Sequence, residues 1–124
     1  MTRRSIQPRT PHFSIDLHGA YIRQTSLKNA NLTRANLEAA DCSGADFSGA
    51  LLKDANLRNA VLVNARLMGA NIDGANLEGT NLKGADLTDV QNATAAQLQK
   101  AILDVRTVVP EHLRLQLVNQ LVGT

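Results

Sequence analysis

The sequence predicts a solenoid closed by C-terminal helices, and three observations predict it. Alanine occupies twelve of the fourteen residue numbers divisible by five from 20 to 85, and Leu, Ile, Phe or Cys stands two residues after each. The five-residue unit, as in Ala30-Asn31-Leu32-Thr33-Arg34 and Ala55-Asn56-Leu57-Arg58-Asn59, runs without insertion from Ile15 to Asp89. After Asp89 the period stops and apolar residues recur at helical intervals. Repetition at a fixed period is the mark of a stacked architecture in which each unit contacts its neighbours.

The period itself excludes the ordinary alternatives. Residues five apart on an α-helix are rotated by about 140°, so the leucines would wind over every face. On a strand, side chains alternate with period two, so every second leucine would point away from the core. A chain that bends once per unit instead turns the first and third residues inward and the others outward.

Ahead of the repeats, residues 1–14 form a basic arm with Arg3, Arg4, Arg9, Pro8 and Pro11, in which Phe13 is placed to plug the first coil. The repeats occupy 15–90. In the tail, 91–124, Thr94-Ala95-Ala96-Gln97 has the spacing of a capping box, and Leu98, Ala101 and Ile102 follow at helical intervals. Asp104 to Val109 reads as an extended link. Pro110 suits the first turn of a second helix, along which Leu113, Leu117 and Leu121 recur every four residues.

These units resemble the A(D/N)LXX pattern of pentapeptide-repeat proteins over fifteen consecutive copies, with Thr25 and Thr80 in place of Ala and with Tyr21, Leu51, Val61 and Arg66 in place of the usual polar second residue. The resemblance implies an all-β fold, a right-handed quadrilateral β-helix with four units per turn, in which residues twenty apart lie above one another. The inner stacks would then include Leu17/Leu37/Leu57/Leu77 and Leu27/Phe47/Leu67/Leu87. In that register His18, Glu38, Arg58 and Glu78 form one outward column, Lys53 lies over Asp73 and Arg34 over Asp54, so signs alternate where charges meet.

Composition limits the function classes. The 124 residues carry a formal charge of +2, mixed in sign along the repeats, and an aromatic fraction of 2%, which suits neither phosphate-backbone binding nor base stacking. His12, His18 and His112 are scattered, and no spacing suggests a metal site, a cofactor site or a catalytic constellation, so a non-enzyme is expected. The glycines fall at corners of the repeat rather than in a phosphate loop. Cys42, the one cysteine, sits at an inward position. No run suits a secretion signal or reaches the roughly 18–20 residues of a membrane span, which points to a cytoplasmic protein.

The expected function is therefore a non-catalytic interaction or structural module with an unidentified protein partner. Its candidate face holds Tyr21, Val61 and Val63, outward positions that have become apolar. The last helix, through Leu113, Leu117, Val118 and Leu121, is expected either to cap the coil or to pair with a second copy. The family resemblance also implies an alternative: a dimer that imitates DNA and so binds DNA gyrase or topoisomerase IV. Such mimicry needs a continuous acidic surface, whereas here Asp41, Asp46, Asp54, Asp73, Asp86 and Asp89 are offset by Lys28, Arg34, Lys53, Arg58, Arg66 and Lys83.

Overall fold

The computed structural model describes residues 14–122. Parallel β-bridges join residues twenty apart, from Asp16 with Asn36 through Asn71 with Gln91, so one turn of the coil takes four five-residue units. We number the turns coil 1 (15–34), coil 2 (35–54), coil 3 (55–74) and coil 4 (75–94). Each bridge sits on the second residue of a unit. Asp41 donates its N–H to the Ala20 carbonyl one turn below at 2.8 Å, and Ile22 donates to the Asp41 carbonyl at 2.9 Å. Within each unit a turn bond closes the corner, as from Ala40 N–H to Leu37 O at 3.0 Å. The backbone groups of this narrow tube are thereby paired between and within turns.

The first and third residues of each unit fill the interior. Ala35, Leu37, Ala40, Cys42, Ala45 and Phe47 are completely buried, and the same positions in coils 3 and 4 follow suit. Alanine is the first residue because a larger side chain at that point would have to share the tube axis with leucine-sized neighbours. Thr80 replaces alanine without leaving an orphan: its buried hydroxyl donates to Leu57 O at 2.6 Å. Burial pushes the Cys42 thiol up to about 12, helped by the negative charge of Asp41, so Cys42 is an inert core residue.

Corners need backbone in the left-handed region, and Asn, Asp and Gly supply most of it, with Asn59 at φ 59° and Gly79 directly above it at φ 70°. A Cβ on Gly79 would overlap Asn59 Oδ1, whereas a Cβ on Gly69 would meet nothing within 4 Å. Both Gly→Ala changes carry the left-handed strain of about 1–2 kcal/mol. Gly79→Ala is expected to cost on the order of 1 kcal/mol more than Gly69→Ala in urea unfolding, because it also displaces Asn59. Equal losses would show that Asn59 yields freely.

The tail returns to the coil in a way that differs from an extended link. Helix α1, Ala95–Gln99, stands above the first side of coil 4 and buries Leu98. Its capping box is formed, with Gln97 N–H donating to Thr94 Oγ1 at 3.0 Å and Thr94 N–H to Gln97 Oε1 at 3.2 Å. The chain then adds two sides of a fifth coil. Ile102 bridges Asn81 and Val108 bridges Asp86, in parallel. Ala101, Leu103, Thr107 and Val109 point inward, and Thr107 repeats the Thr80 solution by donating to Leu82 O at 2.9 Å. A 3-10 turn, Glu111–Leu113, leads into helix α2, Arg114–Leu121, which packs on α1.

Candidate interaction surfaces

Outward positions follow a local rule that the sequence pattern encodes. Wherever Asp or Asn is the second residue of a unit, its Oδ1 accepts the N–H of the fourth residue, as Asn56 does from Arg58 at 3.0 Å and Asp86 from Thr88 at 2.9 Å. This Asx-type bond tightens the corner. Tyr21, Leu51, Val61 and Arg66 have no such oxygen and forgo the bond, so each trades local stability for a different outward chemistry.

Tyr21 and Val61 share a column, but the structure does not bring them together. The column runs Tyr21, Asp41, Val61, Asn81, Ile102, and Asp41 stands between the two apolar residues. Arg23 reinforces the division: its guanidinium lies 5.9 Å from the Tyr21 ring centroid and its Nε 3.9 Å from Asp41 Oδ2. Tyr21, 73% exposed, therefore belongs to the N-terminal rim of the tube. Val61 and Val63 form a separate, half-buried pair at mid-height.

Asp41 is held below its ordinary pKa, chiefly by the Ser43 hydroxyl at 2.8 Å and next by the Ser43 N–H at 3.2 Å, with Arg23 adding a smaller share. A carboxylate whose folded pKa is depressed stabilises the fold above its unfolded value of about 3.9, and that contribution is lost as pH falls through the folded value. Below about pH 4 the urea midpoint of the native chain is expected to fall more steeply than that of Asp41→Asn, which keeps the acceptor oxygen without titrating. Parallel curves would show that Asp41 is unlinked to folding.

At the C-terminal end, Leu113, Leu117 and Leu121 are buried against the chain's own body, so three of the four helix residues singled out in the sequence form the closure. Gln99 Nε2 donates to Gln116 O and Gln120 Nε2 to Gln99 O, each at 3.1 Å, and these bonds clamp α2 to α1. Val118 is half exposed, and Leu115, at 89%, lies beside it on the outer side. The opposite end differs. Ile15 is 48% exposed, and Leu17, Ile22 and Leu27 are only partly buried at the mouth of coil 1. Phe13, assigned in the sequence as a plug for that mouth, lies outside the described residues.

Of the alternating charges on the side walls, those of the Glu38, Arg58, Glu78 column engage. Arg58 lies 3.4 Å from Glu38 and 3.6 Å from Glu78, one above and one below. Among the described residues, no ion pair within 4 Å joins Lys53 to Asp73 or Arg34 to Asp54. Among the described residues, no cluster of three His, Cys, Asp or Glu side chains could hold a metal ion, and no helix is long and apolar enough to cross a membrane.

The return of the tail to the coil is the feature least visible in the sequence. Ala101-Ile102-Leu103 repeats the inward, outward, inward triplet, one residue out of phase with the multiples of five. That phase shift is the available signal.

Comparison with known proteins agrees with this geometry. The family model for pentapeptide repeats matches residues 15–54 and 50–89. A pentapeptide repeat protein from Nostoc PCC 7120, alr5209, is 27% identical over 89% of this chain and 84% of its own, with a TM-score of 0.51. Rfr23, a pentapeptide repeat protein from the cyanobacterium Cyanothece 51142, is 35% identical over 71% of this chain, with a TM-score of 0.46; this chain spans 63% of Rfr23. QnrB1, a plasmid-mediated fluoroquinolone resistance protein, is 23% identical over 76% of this chain and 50% of its own, with a TM-score of 0.42. A search of curated proteins gives no match. The likeness to alr5209 implies the right-handed β-helix for the coil described above. With the family model covering the whole repeat, residues 15–89, the chain belongs to the pentapeptide-repeat family.

Proposed function

We propose that the protein is a non-catalytic interaction module, a rigid coil whose side wall and ends dock a protein partner. The supporting observation is the Val61/Val63 pair, two apolar side chains at outward positions of one unit, obtained at the expense of the Asx bond that an Asn or Asp at position 61 would make. In Val61→Asn/Val63→Asn the side-chain oxygen introduced at position 61 is placed to accept the N–H of residue 63, so stability should hold or rise by about 0.5–1.5 kcal/mol. Co-purification from lysate with the native chain and with this variant tests the reading. A specific protein retained by the first and lost by the second supports it. Equal retention removes the pair from the docking surface.

Self-association is part of the same reading and would use the outer side of α2, Val118 with Leu115, because Leu113, Leu117 and Leu121 are engaged in the closure. The alternation of Arg58 between Glu38 and Glu78 supports the interaction reading over DNA mimicry, which requires a run of one sign to enter the groove of a gyrase or topoisomerase.

A further inference from the structure

The two ends of the tube are chemically different. Residues Leu37, Cys42, Phe47 and Ala50 of coil 2 are wholly buried, while Leu17, Ile22, Leu27 and Ala30, one turn below, are only partly so. In the coils above, the second residue of a unit donates its N–H downward, as Leu51 does to Ala30 O at 2.9 Å. Among the described residues, Asp16, Tyr21, Ser26 and Asn31 make no such donation. Charge is polarised along the same axis. Residues 15–34 carry three basic side chains against one acidic, and residues 35–122 carry seven against ten. Lys28 and Arg34 lie near this mouth, and Arg23 stacks on the exposed Tyr21.

We propose that the N-terminal mouth of the coil is a docking site for an acidic polypeptide segment, which adds a β-strand to the edge of coil 1 with Tyr21 at its rim. The proposal rests on the reading of the protein as an interaction module and specifies the partner chemistry. A row of backbone donors and acceptors at strand spacing is satisfied by another polypeptide backbone and not by hydrocarbon chains. A single-stranded nucleic acid would need aromatic platforms, and Tyr21 is the one aromatic residue on coil 1. A second copy docked mouth to mouth would oppose two basic ends, and the other end of a second copy is closed by α2. The chain's own residues 1–13 bring three more arginines and no carboxylate side chain, so they do not complement Lys28 and Arg34.

The full chain, immobilised, would be used to select from a displayed random library of roughly twelve-residue peptides. The expected winners combine acidic and apolar residues and slow amide exchange at Tyr21, Ser26 and Asn31. Their affinity should fall about tenfold or more in Lys28→Glu/Arg34→Glu and hold in Lys100→Glu/Arg114→Glu, an equal change of charge at the other end. Selection of nothing, of peptides without acidic enrichment, or of peptides indifferent to Lys28→Glu/Arg34→Glu overturns the proposal. So does tighter binding to phosphatidylserine vesicles or to an oligothymidine probe. Peptides lost in Val61→Asn/Val63→Asn but indifferent to the mouth would overturn this site and leave the interaction-module reading standing.

Discussion

Phe47→Ala is expected to lower the free energy of unfolding by about 3–5 kcal/mol, the largest loss from any single core truncation in the chain. Phe47 is the largest of the fully buried side chains and fills the middle of the Leu27, Phe47, Leu67, Leu87 stack. The surrounding wall cannot close over the void. Phe47 N–H is tied to Arg66 O above at 2.7 Å, and Asp46 N–H to Thr25 O below at 2.9 Å, so the coil spacing is fixed by hydrogen bonds on both sides. A cavity that cannot collapse costs more than the transfer of its lost atoms. Leu27→Ala in the same stack is expected to cost less, about 1–2 kcal/mol, because Leu27 is only partly buried at the mouth. Urea titrations of the two variants against the native chain measure both values. If Leu27→Ala cost as much as Phe47→Ala, the mouth would be closed and the docking proposal would lose its surface.

The register of the coil is legible in the sequence because each unit is too short to slip. A shift by one residue would turn Leu57 outward and Asn56 inward, and fifteen units in one phase leave a single arrangement that turns the third residue of every unit inward. The same register already places Asp41 between Tyr21 and Val61. Grouping those two by face rather than by column joins what the fold separates. The fifth coil is hidden for a different reason. Helix α1 and an added residue near Arg106 break the spacing, so Ile102 pairs twenty-one residues from Asn81 and Val108 twenty-two from Asp86. A periodicity argument fails once the offset changes, although the inward triplet Ala101-Ile102-Leu103 survives. The spacing of Leu113, Leu117 and Leu121 identifies an apolar helix side without its target, since periodicity defines which side is buried and not what buries it.

Truncation after Asn92 is expected to convert the protein into head-to-tail multimers. The tail supplies several kinds of closure at once. Leu98 and Leu117 cover the apolar cross-section, and the Gln97 side chain donates to Ile72 O at 2.7 Å and Ala75 O at 3.0 Å. Leu82 and Leu87 donate their N–H groups to the carbonyls of Ile102 and Val108 at 2.8 Å. Without the tail, those donors and carbonyls end in an open edge whose missing neighbour is another coil of the same pattern. The mouth of coil 1 on a second molecule is such a coil, with second-residue donors that make no downward bond among the described residues. The charges favour the match, because coil 4 carries Glu78, Asp86 and Asp89 against Lys83, whereas coil 1 is basic. Joining unlike ends is a heterologous contact that does not close on itself, so growth has no built-in limit. Sedimentation velocity should show a concentration-dependent ladder for the truncated chain that shrinks at high salt, while the full chain, its upper end occupied by α1 and α2, should stay free of it. A truncated chain that remained a folded monomer would show that the helices are dispensable for closure and are held in place for another role, with the outer side of α2 the surface left to explain.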